Sequence, residues 1–276
     1  MDTRDVLDYY RGRDEGARLT SAPDGRLELV RTRELLERLL PAVPATVLDV
    51  GGGTGVYAGW LASLGHRVHV IDVVPEHVDQ AAALPGVIAE VGDARDLGAA
   101  EDSVDAVLLL GPLYHLTQRS DRVRALAEAR RVTRSGGLVA GAAISRYAAL
   151  LEMIRLGKLD DERLALIEHT IRTGEHNARV GFMATHFHTG PELVAEYADA
   201  GLPGADVYGI EGPGWTTAAA SAHATGAVGA TRGTSAGSAN AVYDSALRAA
   251  RAVERDPAMH PFNSHLLVAA RVPRAT

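Results

Sequence analysis

The chain has 276 residues, an apolar share of 46%, a formal net charge of −7 and a pI near 5.9. That length suits one large domain or one domain with a lid, and the acidic balance argues against a broad nucleic-acid or acidic-membrane footprint. There is no cysteine, hence no disulfide framework or Cys-bound zinc, and no apolar run has the length of a membrane span or, at the N-terminus, of a signal-peptide core. The expectation is a soluble, cytoplasmic protein.

The first predicted elements are helical. Asp2 to Arg13 reads as a short helix carrying Tyr9 and Tyr10. Leu27 to Leu40 has a stronger pattern, with Leu29, Leu36, Leu39, Leu40 and Val43 marking an apolar face, and Pro41 and Pro44 ending it. The densest signal follows at Thr46 to Gly55, TVLDVGGGTG. Val47, Leu48 and Val50 suit a buried parallel strand. Gly51, Gly53 and Gly55 allow a sharp turn and let a ligand lie against bare backbone. Val56 to Leu64 reads as a helix whose N-terminal amides point back at that turn. Strand, glycine loop and helix open a nucleotide-type site. Gly53, Gly55 and Ala58 match a dinucleotide loop only loosely, and a carboxylate at Asp49 would repel a pyrophosphate. Asp49 suits a ligand with an ammonium or another positive charge. The alternative is a glycine turn with no ligand.

Arg67 to Ile71 is a second strand, and it ends in Asp72. Nucleotide-binding folds place an acid here to accept hydrogen bonds from both ribose hydroxyls, and a carboxylate rejects a 2′-phosphate. A plain helix cap is the alternative, since Pro75 opens a helix over Glu76 to Ala83. Val87 to Val91 is a third strand, followed by Gly92-Asp93-Ala94.

The series Asp49-x-Gly51-x-Gly53-x-Gly55, then Asp72, then Asp93, resembles the motifs of class I S-adenosylmethionine-dependent methyltransferases. The resemblance covers about residues 27 to 143. It implies S-adenosyl-L-methionine as cofactor, bound by Asp49, Gly51, Gly53, Gly55, Asp72, Val73 and Leu110. It further implies that Asp93 binds the adenine amino group and the Ala94 amide a ring nitrogen, with an Asx turn as the alternative for Asp93. The N-terminal helices would cover the cofactor, with Arg31 on its carboxylate and Tyr10 lining the cavity; a solvated Arg31 is the alternative.

Val104 to Leu110 is a fourth strand, buried on both faces, that runs into GPLYHL. Ligands of open parallel sheets bind beyond the carboxyl strand ends, so Tyr114 and His115 emerge close to the reacting group. The Asp/Asn-Pro-Pro-Tyr motif of enzymes that methylate nucleobase or glutamine amides is missing, and the GPLYHL form resembles a group of bacterial small-molecule methyltransferases. Arg122 to Val132 is an amphipathic helix with Arg122, Arg124, Arg130 and Arg131 expected in solvent, and Leu138 to Ala143 is a fifth strand after a Gly136-Gly137 turn. Tyr147 to Leu159 and Asp161 to Arg172 read as a helical cap that either roofs a pocket or packs on the sheet. Asn177 to Thr189 is expected to be extended, Pro191 to Ala200 helical, Asp206 to Ile210 a sixth strand and Ser264 to Val272 the closing, antiparallel one. Between them, Thr216 to Ala239 is a low-complexity stretch expected to form a loop, and Ala241 to Glu254 is again helical. The whole reads as one α/β methyltransferase domain. It has a doubly wound, mostly parallel, Rossmann-like seven-stranded sheet and a helical cap, divided near residues 45, 144 and 190.

Methyl transfer from a sulfonium needs binding, alignment, exclusion of water and sometimes removal of a proton. His115 is the first candidate base because histidine titrates near neutral pH, with a packed histidine as the alternative. Tyr114 is a candidate wall or donor, and His186, which shares a face with His188, a candidate substrate contact. Glu211 and Trp215 follow a strand end and either line the pocket or form a turn. His176, His186 and His188 match no metal-ligand spacing, so no metal is expected. The expected partner is a small-molecule substrate of specialised metabolism, without nucleic acid or membrane, for a monomer or homodimer. Two other classes compete: an NAD(P)-dependent oxidoreductase, disfavoured because the lone Lys158 completes no Tyr-x-x-x-Lys dyad, and a non-catalytic cofactor-binding regulator.

Overall fold

Adjacent residues of the central strands serve opposite layers, and this alternation organises the molecule. A computed structural model describes residues 7, 9, 10, 19, 23–216 and 236–274. Strand β1 (Thr46–Val50) sends Val47 into one layer and Leu48 and Val50 into the other; β4 (Val104–Leu109) divides Ala106 and Leu108 from Val107 and Leu109 in the same way. The Val47 layer is closed by helices α1 (Pro23–Leu39), α2 (Val56–Ser63) and α3 (Pro75–Ala82), through Leu35, Leu36, Ala58, Leu61 and Ala81. The Leu48 layer is closed by α4 (Pro112–His115), α5 (Arg119–Val132) and α8 (Gly190–Asp199), through Leu113, Leu126, Leu193 and Tyr197. Each fully buried Leu or Val contributes roughly 1.5–3 kcal/mol, so this two-sided burial holds the strand ends in place.

Among the described residues the main sheet has seven strands. They are completed by β2 (Arg67–Asp72), β3 (Val87–Val91), β5 (Thr133–Ile144), β8 (Asp206–Gly209) and β9 (His265–Arg271). The order is β3-β2-β1-β4-β5-β9-β8. The first five strands are parallel, and β9 runs antiparallel to both β5 and β8, as the sequence patterns led one to expect. The order reverses between β1 and β4, and the crevice there is where such sheets bind ligands.

Several expectations need correction. The fifth strand starts at Thr133, ahead of the Gly136-Gly137 pair, and β4 shifts register opposite that stretch. Arg122 does not face solvent; it is buried and grips both carboxylate oxygens of Glu196 on α8. Val43 is exposed and not part of the α1 face. The 177–189 stretch is not continuous strand. It holds a 3-10 turn (Ala178–Val180) and the short strand β7 (Thr185–His186), which pairs with β6 (Glu175–His176) just ahead of it. Helix α9 (Ala236–Val253) takes in the last four residues of the expected loop; residues 217–235 lie outside the described residues, as does most of the Asp2 to Arg13 helix. The cap consists of α6 (Ala148–Leu156) and α7 (Asp161–Thr173), which pack with Ile144 and Phe187 around Tyr114 and Phe182.

Candidate active site at the carboxyl ends of the strands

The glycine loop is bent by backbone that side chains avoid. Gly51 and Gly53 take φ of 68° and 56°, in the left-handed region. A Cβ on Gly51 would meet the Pro112 ring at 2.7 Å, whereas one on Gly53 would meet nothing within 4 Å. Gly51 therefore sits tight against the β4 edge, and Gly53 faces open space. The loop is stapled to the end of β2. Gly51 N–H donates to the Ile71 carbonyl at 2.6 Å, and Gly53 N–H donates to Asp72 Oδ2 at 2.8 Å. Val74 N–H donates to the other oxygen, Oδ1, at 2.9 Å, so Asp72 also orders the entry to α3.

A cavity of about 180 Å³ opens beside this loop. The strand ends bring Asp49, Asp72 and Asp93 to its wall, together with Gly51, Gly53, Val73, Ala94, Leu110, Tyr10, Tyr114 and His115. Gly55 lies one step behind, at the start of α2, where a Cβ would run into Leu84 at 2.6 Å. Asp49 is fully buried, and neither of its oxygens has a hydrogen-bond partner among the described residues. Burial first, and the nearby Asp72 charge second, push its carboxyl up to about 7. An unsatisfied buried acceptor costs roughly 1–3 kcal/mol, so this position calls for a donor, and a cationic one best. Asp93 differs. Its Oδ1 accepts from the Arg95 backbone N–H at 2.8 Å, an Asx turn, and the Arg95 guanidinium closes on both oxygens at 3.0 and 2.6 Å. The Arg95 guanidinium holds the Asp93 carboxyl below its usual range.

The roof of the cavity is aromatic. The Tyr10 hydroxyl lies 2.8 Å from His115 Nε2, and the Tyr10 ring stands edge-on to both His115 and His77. Tyr114 and Phe182 pack against the other side of His115. Burial pushes His115 down to about 4, so the ring is neutral near pH 7. Its Nδ1 is buried without a partner among the described residues. Phe182, His77 and Arg95 escape the sequence reading: no glycine motif marks them, and only their places after a strand or inside the cap bring them here.

Four further candidates lie outside the cavity. Arg31 is buried between Glu34 and Glu254 and donates to the Ile210 carbonyl at 3.3 Å, so its charge is already balanced at the α1–α9 contact. His186 is buried beside His188, 4.5 Å between ring centres, and burial is the main cause that pushes it down to about 3. Glu211 is buried and accepts from His265 Nδ1 at 2.6 Å and from the His265 backbone N–H at 3.0 Å. Trp215 is buried against Leu27 and Ala246. Among the described residues, Glu28, Glu211 and His265 bring three metal-type ligand atoms within 4.8 Å of one another. Within it, His265 Nδ1 lies 2.6 Å from Glu211 Oε1 and 3.8 Å from Glu28 Oε2.

Comparison with known proteins bears on this site directly. A family model described as "Methyltransferase domain" matches residues 47–137, which run from β1 through the glycine loop and α4 into β5. An uncharacterized methyltransferase of Mycobacterium tuberculosis is 40% identical over 105 residues, 38% of this chain and 42% of that protein. Methyltransferase GfsG of Streptomyces halstedii is 30% identical over 158 residues, 52% of each chain. The chain thus matches about half the length, or less, of these curated relatives. Among solved structures, phosphoethanolamine N-methyltransferase 2 of Haemonchus contortus, in complex with S-adenosyl-L-methionine, superposes with a TM-score of 0.61. It is 15% identical, and the likeness covers 99% of this chain and 60% of that one. That likeness concerns the fold.

Proposed function

We propose that this chain, which belongs to the class I S-adenosylmethionine-dependent methyltransferases, transfers a methyl group from S-adenosyl-L-methionine to a small organic acceptor. The observation that carries the site assignment is Asp49: two buried, unpartnered carboxylate oxygens at a strand end, on the same cavity as Asp72. The bound cofactor supplies a methyl carbon activated by a sulfonium. The chain's residues do the rest. Asp49 takes the amino-acid ammonium, Asp72 the ribose hydroxyls, and the Ala94 amide an adenine ring nitrogen. Asp93, with lone pairs to spare beyond Arg95, faces the adenine amino group. The side-chain-free edge at Gly53 leaves room for the ligand.

At the acceptor end, His115 is the proposed base. A neutral ring can take a proton at its unpartnered Nδ1 while Tyr10 fixes Nε2. Such a weakly basic ring suits a hydroxyl acceptor, whose proton becomes acidic as the new C–O bond forms. The aromatic roof excludes water, and Tyr114 forms a wall next to the base. The acidic net charge and the missing Asp/Asn-Pro-Pro-Tyr motif favour a metabolite, and we place it in specialised metabolism. We read the chain as one methyltransferase domain, cytoplasmic, working as a monomer or homodimer.

Two outcomes test these roles. Asp72→Ala is expected to weaken S-adenosylhomocysteine binding by ~1–3 kcal/mol in calorimetric titration, and equal affinity in variant and parent removes the ribose role. His115→Ala is expected to lower turnover by about 10²-fold or more while the product affinity changes little. A change confined to affinity rules out the base. Acceptors are found by mass spectrometry, as candidate metabolites that gain one methylene unit.

A further inference from the structure

Among the described residues, three side chains on the cavity wall carry buried polar atoms without a partner: Asp49, His115 and His77. The first two have been given roles. His77 stands in the first turn of α3, is 5% exposed, and its Nε2 is the unpartnered atom. Its other nitrogen, Nδ1, lies 3.7 Å from Asp72 Oδ1. That geometry selects a tautomer. A proton on Nδ1 faces a carboxylate oxygen favourably, while a lone pair there would be repelled. That tautomer presents the Nε2 lone pair to the cavity as an acceptor.

The acceptor inventory of Asp72 sharpens this. Each carboxylate oxygen has about two lone-pair sites. Oδ2 uses one on Gly53 N–H, and Oδ1 uses one on Val74 N–H while facing the His77 Nδ1 proton. One oxygen of Asp72 is therefore left with open capacity, but a ribose offers two hydroxyl protons. We infer that His77 is a cofactor-contacting residue whose Nε2 accepts one hydroxyl of the ribose diol, leaving the other to Asp72. This rests on the cofactor reading above and divides the diol between two side chains. Tyr10 packs on the His77 ring and holds it in this orientation.

The test is calorimetric titration of the parent, His77→Leu and His77→Gln with S-adenosylhomocysteine and with its 2′-deoxy and 3′-deoxy analogues. His77→Leu is expected to weaken S-adenosylhomocysteine about 10-fold. His77→Gln, which keeps a polar acceptor near the Nε2 position, should recover most of that. The loss should vanish for the one analogue that lacks the hydroxyl facing His77 and persist for the other. An equal loss on all three ligands makes His77 structural and overturns the inference. Should the leucine variant fail to fold, the 15N resonance of His77 Nε2 in the unaltered protein decides. It should shift with S-adenosylhomocysteine and stay put with the relevant analogue; an unmoved resonance with all three ligands overturns the inference. A parent that binds no S-adenosylhomocysteine defeats the cofactor reading itself, whereas binding with equal losses defeats only the role of His77.

Discussion

Gly53→Arg is expected to abolish S-adenosylhomocysteine binding, with no heat above dilution in a calorimetric titration and a fold that remains intact by circular dichroism. The position combines two properties. Its φ of 56° is strained for any residue with a Cβ, at a cost of roughly 1–2 kcal/mol. Yet the Cβ itself meets no protein atom within 4 Å, so nothing in the interior has to move. The arginine stem must therefore extend into the space beside the loop, where the ligand is to lie. Its guanidinium arrives next to Asp49 and Asp72, two carboxylates on the same cavity. An internal cation there competes with the ligand's ammonium and fills its volume. Both effects act against binding, and neither needs a damaged core. Binding that survives the substitution would show that the ligand does not lie against this loop.

Asp49→Asn is expected to weaken S-adenosylhomocysteine about 30- to 100-fold at pH 8, the range for losing a charge-assisted hydrogen bond of ~2–3 kcal/mol. It should also remove a pH dependence that the parent shows. In the ligand-free parent the carboxyl lies near 7 because burial disfavours its charge. To pair with an ammonium it must be ionised. Below pH 7 that ionisation has to be driven by binding, so the parent Kd should rise about tenfold per pH unit as pH falls, with release of up to one proton. Above pH 8 the Kd should level off. The folded-state value is raised above the ordinary 3.8, so the corresponding stability of the free protein is present at low pH and lost as pH rises through 7. That rise corresponds to on the order of 4 kcal/mol. The free Asn variant should accordingly melt higher than the parent at pH 8 and match it more closely at pH 5. A parent Kd that is flat between pH 5.5 and 8 would separate Asp49 from the ligand's cation.

The parallel sheet and its cavity were legible because their cause is local. Apolar strands with an acid at or near the carboxyl end announce themselves within five or six residues: Asp49 is the next-to-last residue of β1, Asp72 closes β2 and Asp93 follows β3. Contacts between distant segments left no comparable mark. Arg122 looks like a solvated arginine of a polar helix face until its carboxylate partner arrives 74 residues later. Arg31 is claimed by Glu254, 223 residues away, and so never reaches the cavity. His186 alternates correctly with His188, but both rings are buried, His188 beside the end of β5, and neither lines the cavity. The pairing of Tyr10 with His115 across 105 residues, and the burial of His77 beside Asp72, follow from tertiary packing alone.

The most direct test is a crystal structure of the chain with S-adenosylhomocysteine bound. It should place the ammonium on Asp49, the two ribose hydroxyls on Asp72 and His77, and the sulfur on the side of the cavity facing Tyr114 and His115. Density for the ligand at any other place, or Asp49 left without a cation while the ligand is present, would contradict the assignment.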